Sequence, residues 1–176
     1  MKKLFAVIAL LCMATVFATA EAPVGNTSRP HADVGDLMVN VGANMGWGSF
    51  GLGGGVEYIF AKWDIPNFAP LTFGTAAKAG LFFGNSLHTD IAALGTMHFG
   101  LKTFSSLPAF LRNFDWYYGL GVGFGIGDTG GFGLSTGTGI SYYLNPKLAL
   151  NADYFYTNYF GAGAGSSGTL GIKMEL

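Results

Sequence analysis

The sequence predicts an all-β fold, an eight-stranded antiparallel transmembrane β-barrel whose strands follow one another as an up-and-down meander. A period-two alternation recurs eight times after residue 36, and its apolar face is opposed mainly by small and polar residues. Charged residues make up only 11% of the chain, aromatic residues 15%, and there are 29 glycines. No apolar run after the N-terminal segment reaches the roughly 18 residues of a transmembrane helix. Strands are therefore expected to cross the membrane.

Residues 1–20 have the features of a signal peptide. Lys2 and Lys3 are followed by an apolar stretch, and Ala18-Thr19-Ala20 supplies the small residues of a cleavage site. We expect cleavage after Ala20 and export from the cytoplasm. Cys12, the only cysteine, lies within this segment, so the mature chain contains no disulfide. Without the two lysines, acidic residues outnumber basic ones, and no nucleic-acid partner is expected.

The mature chain divides into an irregular N-terminal lead-in over residues 21–35 and a barrel over residues 36–176. The lead-in is polar and contains two prolines. An even number of strands puts both ends of the barrel on one side of the membrane, expected to be the periplasm. A turn is predicted at Gly48–Gly51, one helical turn over residues 107–111, and a flexible loop over Gly161–Ser167. The predicted strands cover residues 37–47, 55–63, 71–83, 90–101, 116–126, 132–142, 148–156 and 168–176.

Inward-facing glycines line one wall of the barrel, over residues 119–125 of the fifth strand and 133–139 of the sixth. Glycine at these positions permits sharp curvature and lets Tyr117, Tyr143 and Phe155 pack across the interior. The alternative is a cavity for a small ligand. The sequence leaves both interpretations open.

A small set of charged or ionisable side chains is predicted to face the lumen. An eight-stranded barrel is just wide enough to be filled by side chains, so buried charges need partners. We expect Lys78 and Lys173 to pair with some of the carboxylates. Complete pairing would plug the barrel, and partial pairing would leave a narrow wet path. The predicted lumen residues are Glu57, Lys78, Asp90, His98, Asp153 and Lys173, with Glu175 near the rim.

No catalytic residue, cofactor or metal site is predicted. His31 belongs to the lead-in and His88 to a strand edge, whereas His98 faces inward. Asp90 shares the strand of His98 but lies eight residues away, roughly 26 Å at the rise of a strand, so the two form no dyad. His98 with a serine of a neighbouring strand would be the basis of a lipid-modifying activity. No group of histidines or carboxylates has the spacing of metal ligands.

The final strand carries a pattern of polar, glycine and apolar residues at fixed spacing. Thr169, Gly171, Met174 and Leu176 resemble the C-terminal insertion signal of bacterial outer-membrane β-barrels, with Leu176 where phenylalanine is most usual. This resemblance implies the barrel assembly machinery of the outer membrane as a partner.

Over residues 36–176 the strand pattern resembles the eight-stranded barrels typified by outer membrane proteins A, X and W. The resemblance implies a location in the cell outer membrane, contact with outer-membrane lipid, and a non-enzymatic role as a structural element or a narrow, porin-like channel for a small solute. Two alternatives remain: a lipid-modifying outer-membrane enzyme that uses His98, and a soluble periplasmic ligand-binding β-barrel.

Overall fold

A computed structural model describes residues 25–46, 48–66, 68–84, 87–127, 130–161 and 163–176. The predicted signal peptide, its cleavage site, the first residues of the lead-in and Trp47 lie outside these ranges. Residues 25–36 contain no helix or strand. The strands are β1 Leu37–Gly46, β2 Ser49–Trp63, β3 Leu71–Phe83, β4 His88–Gly100, β5 Phe114–Ile126, β6 Gly131–Asn145, β7 Leu148–Tyr159 and β8 Gly163–Glu175.

Each strand pairs with the next one in the chain, and β8 pairs with β1 to close the barrel. Every pairing is antiparallel. The predicted all-β, eight-stranded meander is therefore confirmed. Within the described residues, no helix is long and apolar enough to cross a membrane. A short 3-10 turn occurs at Leu111–Asn113, later in the chain than the helical turn expected at residues 107–111.

The barrel has apolar side chains outside and polar side chains inside. Leu120 on β5 and Phe50 on β2 are each 73% exposed on the outer surface, whereas Lys173 and His98 are buried in the interior. Because successive side chains of a strand point to opposite faces, the alternation in sequence becomes this separation in space. It is the reverse of the arrangement in a water-soluble protein.

Two hairpins are tighter than the sequence suggested. The flexible loop expected over Gly161–Ser167 is wrong, because β8 begins at Gly163 and pairs with β7 over that stretch. Its glycine and serine content suits the crowded interior, where the Ser167 hydroxyl lies 2.9 Å from Nδ2 of Asn44. The turn predicted at Gly48–Gly51 is also wrong beyond its first residue, since Ser49 already pairs with Gly46.

The two ends of the barrel differ in the length of their connections. At the end away from the chain termini, hairpins are closed by residues 47–48, 84–87, 127–130 and 160–162. At the opposite end, residues 64–70 and 101–113 form longer connections, and the lead-in lies there as well. The longer connections therefore lie at the end of the barrel where β1 begins and β8 ends.

The seam between β1 and β8 requires glycine on both strands. Gly42 pairs directly with Gly171. A Cβ atom on Gly171 would collide with the carbonyl oxygen of Val41, and one on Gly42 would collide with that of Leu170. Glycine thus allows the backbones to approach closely at the point where the barrel closes.

Candidate functional site

The structure places all six predicted lumen residues inside the barrel, with their side chains buried. They come from two groups of neighbouring strands that face each other across the barrel, so contacts between the groups cross the lumen. Glu57 lies on β2, Lys78 on β3, Asp90 and His98 on β4, Asp153 on β7 and Lys173 on β8.

One ion pair spans the barrel between β3 and β7, which are on opposite sides of the closed sheet. Nζ of Lys78 lies 2.9 Å from Oδ2 of Asp153, and both side chains are almost completely buried. The amide of Asn40 on β1 donates to the same carboxylate oxygen at 2.5 Å. Asp153 therefore receives one charged and one neutral donor, which offsets part of the cost of burying it.

A second group of charges joins β8, β2 and β4. Nζ of Lys173 lies 3.4 Å from Oε2 of Glu57, and Nε2 of His98 lies 2.9 Å from Oε1 of the same carboxylate. Both oxygens of Glu57 are thus occupied by cationic or potentially cationic groups.

His98 lies between two carboxylates. Its Nδ1 is 2.7 Å from Oδ2 of Asp115, and its Nε2 contacts Glu57. A neutral imidazole has one donor nitrogen and one acceptor nitrogen, whereas two ionised carboxylates can only accept. The geometry therefore fits a doubly protonated, positively charged His98. Neither nitrogen is free to take a proton from a serine hydroxyl.

Asp115 belongs to this site, although it is not among the lumen residues predicted from the sequence. It lies next to Trp116, where the fifth strand was expected to begin, but β5 begins at Phe114. Its side chain is buried and in phase with Tyr117, two residues later. Extending the alternation of β5 back by one step would have found Asp115.

The ring of Tyr117 lies between the two groups of charges. Nζ of Lys78 is 4.8 Å from the ring centroid and Nζ of Lys173 is 5.5 Å from it. The His98 ring lies 5.5 Å from the same ring at an interplanar angle of 30°. Cations at this distance are attracted by the aromatic quadrupole. Tyr117 therefore helps to hold all three positive groups in a single cluster.

We call these residues the lumen charge cluster: Glu57, Lys78, His98, Asp115, Tyr117, Asp153 and Lys173. Its three carboxylates are balanced by two lysines and the imidazolium. Charge balance matters here because an unpaired ion in a low-dielectric interior is strongly unfavourable.

Asp90 lies apart from the cluster, nearer the other end of β4. Its carboxylate accepts a hydrogen bond from the Tyr159 hydroxyl. Between Asp90 and the cluster, neutral polar pairs cross neighbouring strands, such as Ser135 with Thr157 at 2.5 Å. The lumen is thus polar beyond the charge cluster too.

The glycine wall of β5 and β6 is filled by side chains from elsewhere in the barrel. A Cβ atom on Gly139 would overlap the Tyr117 ring, and one on Gly137 would come within 2.6 Å of Cδ1 of Leu94. Gly125 faces the Tyr159 hydroxyl in the same way. The glycines therefore make room for packed side chains, and these positions do not line an open cavity.

The lead-in covers the mouth of the barrel at the end that carries the termini. The His31 ring stacks on Tyr143 with 4.0 Å between centroids, and its Nε2 lies 2.9 Å from the carbonyl oxygen of Arg112. Backbone hydrogen bonds tie Gly35 and Asp36 to Ile59 of β2. Burial lowers the pKa of His31 to about 4, so its ring is neutral near pH 7.

The residues of the predicted insertion signal occupy different environments on β8. Thr169 points into the lumen and is buried, Gly171 lies at the seam with β1, and Met174 and Leu176 are on the outer surface. Among the described residues, no group of three or more His, Cys, Asp or Glu side chains is arranged to hold a metal ion.

Comparison with solved structures shows the same fold in small outer-membrane barrels. The N-terminal β-barrel domain of Pseudomonas aeruginosa OprF matches with a TM-score of 0.55 and 14% identity, over 81% of this chain and 98% of that one. Ail, the attachment invasion locus protein of Yersinia pestis, matches with a TM-score of 0.55 and 15% identity, over 82% and 100%. OprG of Pseudomonas aeruginosa matches at 0.50 and 13%, over 84% and 99%.

No protein-family description matches the sequence, and no curated protein matches it. At these low identities the solved structures establish the fold alone. That fold is the small eight-stranded outer-membrane barrel, in agreement with the resemblance seen in the sequence.

Proposed function

We propose that this chain, which has the fold of small outer-membrane barrels, is an integral outer-membrane protein with a closed lumen and a structural role. The observation that carries the proposal is the reversed polarity of the barrel. Large apolar side chains such as Leu120, Phe50 and Trp63 are exposed, whereas Lys78, Lys173 and His98 are buried. Lipid hydrocarbon is the solvent that favours this arrangement. A soluble periplasmic barrel would leave the apolar surface in water, and it would be extracted without detergent.

The closed lumen is supported by the lumen charge cluster and by the packing around it. A hydrated ion crossing the barrel would have to separate Lys78 from Asp153, or Glu57 from Lys173 and His98. Separation of buried pairs is costly because it leaves charges without partners. The glycine wall offers no alternative path, since Tyr117 and Leu94 fill the space beside it.

In the proposed orientation, the termini and the lead-in face the periplasm. The chain would be exported with cleavage after Ala20, and residues Thr169 to Leu176 would be recognised by the barrel assembly machinery. Outer-membrane lipid is its expected surrounding. The proposed role is non-enzymatic, because His98 is buried and both of its ring nitrogens face carboxylates.

The test is conductance across a planar bilayer, using mature protein whose folding is verified by its heat-dependent gel mobility. We expect no unitary steps from the wild type. Glu57→Ala should produce steps because it removes the partner of Lys173 and His98 and also removes side-chain volume. Val56→Ala, a truncation of the adjacent outward residue, is the matched control and should remain silent. Reproducible steps from the wild type would refute the closed lumen.

A narrow channel for a small solute is the second candidate, and the polar lining of the lumen favours it. Asn44 and Ser167 bond to each other on one side, and Ser135 bonds to Thr157 on the other. Swelling of protein-containing liposomes in small neutral solutes would detect such a path even without ionic conductance. Swelling by the wild type at a rate above protein-free liposomes would favour this candidate over the structural role.

A further inference from the structure

We propose that the barrel mouth under the lead-in binds a small phosphate ester that also carries an ammonium group, the chemistry of phosphoethanolamine. The inference goes beyond the proposed function, and it concerns a cleft separate from the lumen charge cluster. We call it the mouth cleft. It has a volume of about 160 Å³ and is bounded by the lead-in, the connection after β4, the turn before β7 and the end of β8.

Lys102 is the residue that indicates a ligand. It is only 6% exposed, yet its ammonium forms no hydrogen bond or ion pair with any described residue. Its side chain lines the mouth cleft and lies close to Gly25 of the lead-in. Burial lowers the pKa of Lys102. An ammonium on so enclosed a side chain keeps few of its water contacts, and an anion bound in the cleft would supply acceptors that the described residues do not.

Other charges of the mouth cleft define the class of ligand. Arg29 and Lys147 line it with Lys102, and Asp36 and Glu175 line it as well. Arg29 is occupied by Asp33 at 2.7 Å and lies 3.6 Å from Asp36. Lys147 and Glu175 have no ion-pair partner within the described part of the chain.

The mouth cleft thus combines two cations, Lys102 and Lys147, with the carboxylate of Glu175, and within the described part of the chain none of the three lies within ion-pair distance of a partner. A lysine ammonium binds phosphate as a compact point charge. A simple phosphate would satisfy the lysines but would be repelled by Glu175. A zwitterion places its phosphate at the lysines and its ammonium at the carboxylate, so it suits both. Such a head group is available from phospholipid in the surrounding leaflet or from a free phosphate ester.

The test uses the full mature chain in a glucoside detergent free of phosphate. Calorimetric titration with O-phosphoethanolamine should show binding to the wild type. Lys102→Met should weaken that binding about 10- to 100-fold, the usual effect of losing a charge-assisted hydrogen bond. Asp64→Asn removes an exposed charge at the same end of the barrel but outside the cleft, and it should leave the affinity unchanged. Inorganic phosphate should bind more weakly than O-phosphoethanolamine, and Glu175→Gln should reduce that difference.

Two further measurements make the test independent of folding and identify the source of the ligand. Lys102→Met should fold and should raise the thermal unfolding midpoint of the ligand-free protein, because it removes an unpaired buried charge.

Native mass spectrometry with phosphatidylethanolamine should show a lipid adduct that depends on Lys102 if the membrane supplies the head group. Binding of the free ester without such an adduct would identify a soluble source. The absence of both, or binding that is unchanged in Lys102→Met, would overturn the proposal. Equal affinity for phosphate and O-phosphoethanolamine would overturn the zwitterionic assignment.

Discussion

The pair between Lys78 and Asp153 gives a quantitative test of the lumen charge cluster. Replacement of Asp153 by asparagine keeps the shape of the side chain and removes its charge. The side chains of the pair are only 3% and 4% exposed, so the ammonium of Lys78 cannot be rescued by water without disturbing the lumen. Breaking a buried pair by removing one partner typically costs about 3–5 kcal/mol. We expect a loss of stability of that size in Asp153→Asn.

The assay is urea unfolding of the barrel in lipid vesicles, followed by tryptophan fluorescence. The double variant Lys78→Met with Asp153→Asn should recover most of the loss, because neither member of the pair then leaves an uncompensated charge. Asp64→Asn makes the same chemical change in an exposed connection between β2 and β3 and should have no measurable effect. A change below about 0.5 kcal/mol in Asp153→Asn would match an ordinary surface substitution and would refute the reasoning.

Three further predictions concern packing, closure and the lead-in. Gly139→Ala should destabilise the barrel by about 1–3 kcal/mol, since its Cβ would overlap the Tyr117 ring; urea unfolding measures this. Gly171→Ala should lower the fraction of heat-modifiable, folded barrel on gels, because its Cβ collides with the backbone of β1 at the closing seam. The buried His31 has a pKa of about 4, against 6.5 when exposed. Docking of the lead-in is therefore fully stable above pH 6.5 and should lose about 3 kcal/mol as the pH falls to about 4. Amide hydrogen exchange of residues 25–36, measured between pH 6.5 and about 4 and corrected for intrinsic rates, would report this loss of docking stability.

Each of these predictions has its own control. Gly95→Ala adds the same methyl group on the outer surface, where the nearest atom is 3.7 Å away, and should leave stability unchanged. If it is as harmful as Gly139→Ala, lumen packing is not the cause. A normal folded fraction for Gly171→Ala would show that the seam tolerates a side chain. In His31→Phe, exchange of the lead-in should no longer depend on pH in this range; persistence of the dependence would assign it to another group.

The alternation of apolar and polar residues was sufficient to predict the strands and the direction of most side chains. Glu57 and Lys173 could be assigned to the lumen because their neighbours in sequence are apolar. Their contact could not be derived in the same way, since β2 and β8 are 116 residues apart at these positions. Contacts across a barrel depend on the stagger between strands, which accumulates around the closed sheet.

Local composition was misleading where tertiary contacts outweigh it. The Gly-Ser segment before Thr169 has the composition of a loop, but β7 supplies a complete ladder of partners and Asn44 bonds to Ser167. Asp115 was missed for a related reason. It lies just outside the predicted strand, so the alternation assigns it to the interior only when the strand is extended to Phe114, and its contact with His98 depends on the neighbouring strand.

The short hairpins at the end away from the termini have a consequence for how a cell carrying this protein would be recognised. In the proposed orientation the described strands reach the outside only through these hairpins, whose connections comprise residues 47–48, 84–87, 127–130 and 160–162. Connections of this length add little beyond the strand ends themselves. In that orientation an antibody or a bacteriophage at the cell surface would have little protein surface to bind, because most of each strand would be enclosed by lipid. The protein would thus offer few binding sites to molecules outside the cell, whereas its charged mouth cleft would be accessible from the periplasm.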